Sequence, residues 1–449
     1  MVVLVLLGFP IAVVLAWAYD VTPDGVRRTG PVETAAPDQV ESTPVPARSR
    51  FWPAVSALLA VLLVVVVVFA LRARFQDSAE RRARALLPTI AELAEEGSYS
   101  EAFRLAGDAS RSLEGDTALA RMWPRVADHL TVRTDPPGAT EAARPFNGGV
   151  EAGDEEFEVL GTTPLELHRI PRTPHLIRIE RTGFAPVERL VSSALLRTEA
   201  QMQSAPAIEV DVVLVPEAEA PDDMVLVPGG MYELVTPDLP EDRRAMLDDY
   251  SIDRYEVSNA GFREFVAGGG YATRTLWPAP IVTESDTLDF EAAMDRLVDR
   301  TGLPGPRGWT GREYPEGRGN HPVSGITWYE AAAYCAFRGK RLPTIFQWEK
   351  AARDGRITHY EGVVMPWGLA SFGTSPRARA NFGSAGTVPV DAHPFGISPY
   401  GAYAMAGNVK EWVANPFGPG RGATGGSWED PMYLFSEVGA LDPFFASES

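Results

Sequence analysis

The chain has 449 residues, a length that favours two to four domains over a single core. Hydrophobic residues make up 45% and charged residues 22%, which are globular values that exclude wholesale disorder. The formal net charge of −19 argues against a nucleic-acid partner, because phosphates require a basic face. The 41 glycines and 38 prolines predict a fold rich in turns.

Two apolar segments near the N-terminus predict membrane helices. Residues 52–72 contain an uncharged run long enough to cross a bilayer. Residues 1–19 are also uncharged, and Ala16-Trp-Ala18 would suit signal-peptide cleavage, but no basic residue precedes the apolar run. The stretch Leu7–Gly25 resembles the second membrane helix and following loop of bacterial multi-pass signalling proteins. We therefore interpret residues 1–19 as a transmembrane helix whose start is truncated.

Membrane orientation follows from that resemblance and not from charge. Arginines are nearly balanced between the loop that joins the two segments and the region after residue 72, whereas the positive-inside rule needs an asymmetry. In the signalling proteins the inter-helix loop is cytoplasmic. The resemblance thus implies a membrane protein, multi-pass or anchored, whose C-terminal region is periplasmic or otherwise extracytoplasmic.

Three segments follow in chain order. Residues 20–50 are rich in Pro, Thr and Glu and predict a flexible loop. Residues 77–128 show helical periodicity interrupted at Gly97-Ser98, which predicts a helical hairpin spacer; a tetratricopeptide repeat would need more than one hairpin. Residues 129–215 alternate in strand fashion, as in Leu130–Thr134 and His175–Glu180. Their turns resemble the PEGA domain, which implies a small β-sandwich acting as a spacer or docking module.

The last segment, residues 222–449, carries turn and capping motifs that indicate a compact α+β domain with sparse secondary structure. Tyr250–Ser258 is predicted to be a strand, and Ser258 is placed to cap the helix that follows it. Thr327-Trp-Tyr-Glu330 and Thr344-Ile-Phe-Gln347 are capping boxes. The one cysteine, Cys335, lies at helical spacing from Trp328, so we expect it to pack as a small apolar group. Aromatic-and-glycine turns complete the pattern: Pro366-Trp-Gly368, Tyr400-Gly-Ala-Tyr403, Gly407-Asn-Val-Lys-Glu-Trp412 and Gly425-Gly-Ser-Trp428.

In this order, these blocks resemble the formylglycine-generating-enzyme (sulfatase-modifying factor) family. The resemblance begins at Met224-Val-Leu-Val-Pro-Gly-Gly-Met231, includes Asp253-Arg-Tyr-Glu-Val257 and Gly339-Lys-Arg-Leu-Pro343, and covers residues 224 to about 435. It implies a fold similar to C-type lectins. The family closes with a Gly-Phe-Arg strand beyond the position of Ser449, so the domain is expected to be incomplete at its C-terminus.

The resemblance also implies a copper-dependent oxidation that the residues here do not support. In the active enzymes two cysteines shortly after Gly-Gly-Ser hold the metal, and Asp430 and Phe435 stand at those positions. Cu(I) is a soft ion that prefers thiolates, so the sequence argues against copper and names no catalytic residue. Another branch adds an iron site of three histidines, but the six histidines of this chain show no helical ligand spacing.

Calcium is the remaining cofactor candidate implied by the family. Glu411 matches its ligand, Gly407 and Val409 would supply carbonyl oxygens, and Asn381 fits part of a second site. The alternative is that Glu411 and Asn408 satisfy backbone groups of the turn.

The sequence therefore predicts a membrane-anchored family member acting as a non-oxidase binding or sensing module. Its unknown protein or peptide ligand would contact the surface that holds substrate in the enzymes, carried here by Trp412, Ser427, Trp428 and Asp430. The alternative is a metal-dependent oxidase that makes formylglycine from a cysteine in a sulfatase-type substrate.

Overall fold

The computed structural model describes residues 19–22, 25–28, 51–146, 156–191, 208–221, 223–234, 243–283, 286–353, 364–369, 378–418, 420–432, 435 and 439–445. The chain divides into two compact units, Met1–Ala73 and Arg74–Ser449. The α-helices are α1 Phe51–Glu95, α2 Tyr99–Ser110, α3 Thr117–Val126, α4 Asn259–Ala267, α5 Phe290–Met294, α6 Trp328–Phe337 and α7 Ile345–Arg353. The strands of the first half are β1 Tyr19–Thr22, β2 Gly25–Arg28, β3 Ala127–Asp135, β4 Thr140–Pro145, β5 Glu158–Thr162, β6 Leu165–Pro171, β7 His175–Glu180, β8 Val187–Val191 and β9 Ile208–Val213. Those of the second half are β10 Met224–Val227, β11 Gly230–Glu233, β12 Arg244–Leu247, β13 Tyr250–Asp253, β14 Ile281–Val282, β15 Thr287–Leu288, β16 Val364–Met365, β17 Gly368–Leu369, β18 Glu411–Phe417, β19 Gly420–Thr424 and β20 Gly439–Leu441.

A short hairpin replaces part of the predicted flexible loop. Strand β1 pairs with β2 in antiparallel register, Tyr19 opposite Arg28. The sequence between the two strands is Pro23-Asp24, and Pro and Asp are residues that favour turns. The prediction of a loop was therefore wrong for residues 20–22 and 25–28, and Tyr19, predicted to be helical, lies in a strand. Residues 1–18 and 29–50, including the predicted first membrane helix, lie outside the described residues.

Helix α1 confirms a helix over residues 52–72 and extends it to Glu95. Within the described residues it is the one helix long and apolar enough to cross a membrane, judged by length and composition over Leu59–Glu95. The membrane helix and the spacer were predicted as separate helices, with a break between residues 72 and 77. This break is absent, because no glycine or proline interrupts residues 72–87. Insertion in a bilayer stays a prediction.

The helical spacer contains one helix more than the predicted hairpin. Helix α2 begins at Tyr99, close to the predicted start at Ser100. The additional helix α3 is capped by Asp116, whose carboxylate accepts hydrogen bonds from the amides of Ala118 and Leu119. Ile90, Ala102, Ala106, Leu119 and other small or aliphatic side chains form one buried cluster between these helices.

Strands β3 to β9 form two sheets, which we call the β domain (residues 127–213). One sheet has the order β6-β3-β9 and the other β5-β4-β7-β8. Apolar side chains of both sheets, among them Leu130, Ile170, Ile177 and Val191, share one buried cluster. The predicted strands 130–134 and 175–180 are thus present, whereas the resemblance to the PEGA domain stays a prediction.

The C-terminal domain (residues 223–445) is a mixed α/β structure with short strands, as predicted. Its longest sheet has only three strands, in the order β18-β19-β20. Ser258 caps α4, Thr327 and Glu330 form the capping box of α6, and the side chains of Thr344 and Gln347 do the same at α7. The three predicted helix starts are therefore confirmed.

The predicted strand Tyr250–Ser258 stops early, at Asp253. Its partner strand begins at Met224, which lies opposite Asp253, so the residues after Asp253 have no strand to pair with. The chain turns inward there and carries Glu256 towards the Gly407–Glu411 turn. The strand prediction was wrong beyond Asp253. For this reason the sequence analysis did not identify Glu256 as a residue of the candidate site.

The β domain and the C-terminal domain share a core. Phe146, Leu176 and Leu190 belong to the same buried cluster as Trp348 and Tyr400. The buried Arg189 guanidinium donates hydrogen bonds to the carbonyls of Tyr400 and Leu226, at 3.1 Å each. The β domain is thus packed against the C-terminal domain by both apolar and polar contacts.

Candidate functional site

The Gly407–Glu411 turn is built around the side chain of Asn408. Gly407 and Asn408 both have positive φ, 77° and 64°, and a side chain at Gly407 would collide with the Asn381 carbonyl. The Asn408 amide donates to Glu256 Oε2 at 2.7 Å, while its Oδ1 accepts from the Val388 amide at 2.9 Å. The turn is therefore held in a fixed position at the start of β18.

A cavity of about 400 Å³ lies beside this turn. Its polar wall includes Asp253, Glu256 and Glu411, which reach it from β13, from the segment after β13 and from β18. The rest of the lining is largely aliphatic and aromatic, including Ile252, Val257, Tyr255, Tyr334, Tyr403 and Met405. Tyr255 and Tyr403 stack on each other with ring centroids 5.1 Å apart. The fold thus places carboxylates against an apolar chamber of small-molecule size.

The two inner carboxylates, Glu256 and Glu411, are difficult to ionise. Desolvation, followed by repulsion from Glu411, raises the pKa of Glu256 well above its ordinary value, against hydrogen bonds from Asn408 and Val409. Desolvation also raises the pKa of Glu411 to about 7, although the Trp348 indole N–H donates to it at 3.1 Å. No lysine or arginine among the described residues contributes to either shift. Both groups therefore lack a compensating positive charge.

The outer carboxylate, Asp253, is paired. Lys340 Nζ lies 2.5 Å from Asp253 Oδ1, so this lysine is engaged at the mouth of the cavity. Cys335 lines the same wall, and desolvation raises the pKa of its thiol to about 12, with Asp253 adding to the shift and Lys340 opposing it. The thiol is therefore protonated at neutral pH and packs beside the core, as the sequence indicated.

Two of the predicted binding residues, Ser427 and Asp430, lie together. The Ser427 hydroxyl and backbone amide both donate to Asp430 Oδ2 at 2.8 Å, and Lys410 Nζ lies 3.1 Å from the same oxygen. Desolvation alone would raise the pKa of Asp430, but the hydrogen bonds from Ser427 and Lys410 lower it. Trp428 adjoins this group, and its indole N–H has no partner among the described residues. Trp412 instead lines the cavity, donating to the Ile326 carbonyl.

The two positions that the family resemblance assigns to copper ligands have other roles. Asp430 is held by Ser427 and Lys410. Phe435 is fully buried, and the Arg353 guanidinium lies 4.5 Å from its ring centroid. An ion-paired carboxylate and a buried phenyl ring cannot bind Cu(I), so the residues present do not fit that metal.

The predicted calcium ligands are only partly brought together. Asn381 forms an isolated bridge with Gly407, and its side-chain amide donates to Asn408 Oδ1 and the Gly386 carbonyl. Glu411 faces the cavity, and the Val409 amide donates to Glu256. The described part of the chain contains no group of three or more His, Cys, Asp or Glu side chains that could hold a metal ion. Calcium at these residues stays a prediction.

Sequence reasoning missed Glu256, Asp253 and Lys340. All three lie within motifs that the resemblance used, Asp253-Arg-Tyr-Glu-Val and Gly-Lys-Arg-Leu-Pro. The available signal was that Asp253, Arg254 and Glu256 interrupt the supposed strand, because a half-buried strand would alternate apolar and polar residues at every second position.

The arrangement defines a class of protein: an α+β domain of sparse secondary structure whose polar turns enclose a chamber. The family model described as "Sulfatase-modifying factor enzyme 1-like domain" matches residues 212–443. The chain therefore belongs to this family.

Curated relatives in the family differ in activity. The "Formylglycine-generating enzyme" of Thermomonospora curvata is 34% identical over 47% of this chain and 77% of its own length. The "Inactive C-alpha-formylglycine-generating enzyme 2" of Bos taurus is also 34% identical, over 46% of this chain and 77% of its own. The "Hercynine oxygenase" of Mycolicibacterium smegmatis is 34% identical over 44% of this chain, but this chain spans only 47% of its length. Family membership alone therefore does not define the activity of a member. Whether it is an oxidase, an oxygenase or inactive depends on the residues at its site.

Proposed function

We propose that the C-terminal domain is a non-oxidase binding or sensing module, attached to a membrane, whose ligand enters the cavity beside the Gly407–Glu411 turn. The observation that carries the proposal is the pairing of Lys410 with Asp430 at 3.1 Å. Asp430 occupies the position at which the active enzymes of the family have a copper-binding cysteine. Lys410 adds a positive charge at the same position. A cationic group beside the site opposes the binding of a metal cation.

The state of the one cysteine supports the same conclusion. Copper-dependent chemistry in this family needs thiolates, whereas desolvation raises the pKa of the Cys335 thiol to about 12 in the wall of the cavity. A protonated thiol neither binds Cu(I) well nor acts as a nucleophile. The relative described as inactive shows that family membership does not require the oxidase reaction.

The test is metal analysis of the full-length chain purified in detergent, combined with a search for peptidyl aldehyde after incubation with a cysteine-containing peptide. We expect neither copper nor iron near one per chain, and no aldehyde. A Cys335→Ala variant is the matched control. Metal that is present in the wild type and absent from this variant is bound by the Cys335 thiol and not by a separate metal site. Stoichiometric copper or iron that survives in this variant, together with aldehyde formation, would establish the alternative, a formylglycine-forming oxidase.

The calcium proposal is tested separately by thermal unfolding. If calcium binds at the Gly407–Glu411 turn, adding it should raise the melting temperature of the wild type and leave Glu411→Ala unchanged. An equal rise in both proteins would place the ion elsewhere.

The membrane proposal depends on α1 and predicts an extracytoplasmic C-terminal domain. Because Cys335 is partly buried and protonated, a Glu429→Cys substitution supplies an exposed thiol for comparison. In intact cells a membrane-impermeant maleimide should label this variant and leave the wild type unlabelled. Labelling only after lysis would reverse the proposed orientation.

A further inference from the structure

We infer that the cavity binds a small organic cation, a guanidinium or ammonium group carried on an apolar body, with the charged group against Glu256 and Glu411. This inference rests on the proposed function, in which the cavity is a ligand site and not a redox centre. It adds the chemical class of the ligand.

The first support is the bonding of the two carboxylates. Both Glu256 oxygens accept hydrogen bonds from uncharged N–H groups, the Asn408 side chain at 2.7 Å and the Val409 backbone at 3.2 Å. Glu411 Oε2 accepts from the Trp348 indole, and Oε1 accepts nothing from the described residues. Neither carboxylate has a basic partner in the described part of the chain. A buried carboxylate is stabilised most by a charged donor, so the chamber is complementary to a cation.

The second support is that the basic side chains of the lining are occupied or peripheral. Lys340 is bound by Asp253 and Lys410 by Asp430. Arg341 is exposed at the opening. None of these cations neutralises the inner pair, and the acidic end of the chamber is left for the ligand.

The third support is the shape and chemistry of the remaining wall. A volume of about 400 Å³ suits a small molecule, and the aliphatic side chains of Ile252 and Val257 would accept an apolar body. The stacked rings of Tyr255 and Tyr403 line the same chamber, and aromatic rings attract organic cations.

An inorganic cation fits this chamber less well. Calcium requires six to eight oxygen ligands, whereas the wall is mainly apolar around two inner carboxylates. A guanidinium group can be paired by one or two carboxylates and, because it is weakly hydrated, loses less than a metal ion when it leaves water.

The experiment compares phenylguanidine with phenylurea, its uncharged counterpart of the same shape, by isothermal titration calorimetry on the full-length chain in detergent. We expect phenylguanidine to bind at least about tenfold more tightly, because a charge-assisted hydrogen bond is lost with phenylurea. Glu411→Gln should lower the affinity for phenylguanidine about tenfold, whereas the exposed Glu429→Gln should leave it within about twofold.

Circular dichroism and melting temperature check that each variant is folded, and Glu256→Gln takes the place of Glu411→Gln if that variant unfolds. The inference is overturned if phenylguanidine fails to bind, if phenylurea binds equally well, or if both glutamine variants keep wild-type affinity. Calcium binding that depends on Glu411, without phenylguanidine binding, also overturns it. Copper or iron found by metal analysis would instead overturn the proposed function, so the two failures are distinguishable.

Discussion

The β domain and the C-terminal domain are held together internally by different interactions. In the β domain, seven strands in two sheets satisfy most backbone groups through ladders around a single apolar cluster. In the C-terminal domain, side chains bind the backbone of long loops. The Asn259 amide donates to the carbonyls of Arg318, His321 and Pro322, and Asp299 accepts from Thr301, Leu303 and Arg312. Stability in the C-terminal domain is therefore concentrated in a few polar side chains.

Removal of one such side chain, Asn408, should destabilise the protein more than any other substitution considered below. Asn408→Ala loses the bonds to Glu256, Val388 and Asn381 and leaves alanine at a φ of 64°. We expect a loss of about 4 kcal/mol in the free energy of unfolding, because several buried groups lose partners and the backbone is strained. Denaturant titration of the full-length chain measures it.

The matched control is Asn320→Ala, since Asn320 is exposed and binds only Asp391 through its side chain. It should cost no more than about 0.5 kcal/mol. Similar losses in both variants would show that the C-terminal domain does not concentrate its stability in buried amides.

A smaller effect is expected where the two domains meet, at Arg189. Arg189→Ala leaves the Tyr400 and Leu226 carbonyls without their charged donor, which should cost about 3 kcal/mol. Differential scanning calorimetry should then resolve separate transitions for the β domain and the C-terminal domain. Arg133→Ala, which removes only exposed ion pairs with Glu166, Glu209 and Asp211, should keep the wild-type profile.

A smaller change in stability is expected from Glu141. This residue is a buried acidic side chain in the β domain, whose two sheets pack around an apolar cluster. This glutamate is fully buried, neither side-chain oxygen has a partner among the described residues, and desolvation raises its pKa from 4.5 to about 7. The folded state keeps the proton up to about pH 7, whereas the unfolded state loses it near 4.5. The stability of the wild type should therefore fall by about 2.5 kcal/mol as the pH rises from 5 to 8, and then stay level.

Glu141→Gln cannot ionise, so the stability of the variant relative to the wild type should increase between pH 5 and pH 8. Thermal melts across this range measure the slope. The exposed Glu166→Gln should show no such trend. A constant difference between Glu141→Gln and the wild type would contradict the assignment.

Local signals in the sequence were enough to predict much of the fold. The helix caps at Ser258, Thr327 and Thr344 depend on residues three positions apart, and period-two alternation identified β7 at its observed bounds. Helix α3 was missed because the prediction of a hairpin used only the interruption at Gly97-Ser98, whereas Asp116 caps a further helix at Thr117.

The candidate site could not be predicted in the same way, because it is assembled from distant segments. Asn408 and Glu256 are 152 positions apart, and Trp348 and Glu411 are 63 apart. Pattern reasoning identified Glu411 through its motif but could not place Glu256, since that required knowing that β13 ends at Asp253. Motifs identified the family, and only the packing of its loops revealed the chamber.

Phe146, Leu190 and Tyr400 share one core, so the C-terminal domain cannot be moved into another protein by itself. A gene segment cut near residue 222 would separate the C-terminal domain from β8 and leave the Pro399–Tyr400 surface without its covering. Recombination or protein engineering that moves the domain onto another scaffold would therefore have to carry strands β4, β7 and β8 with it. The segment that packs as one unit is therefore longer than the segment that the family motifs identify.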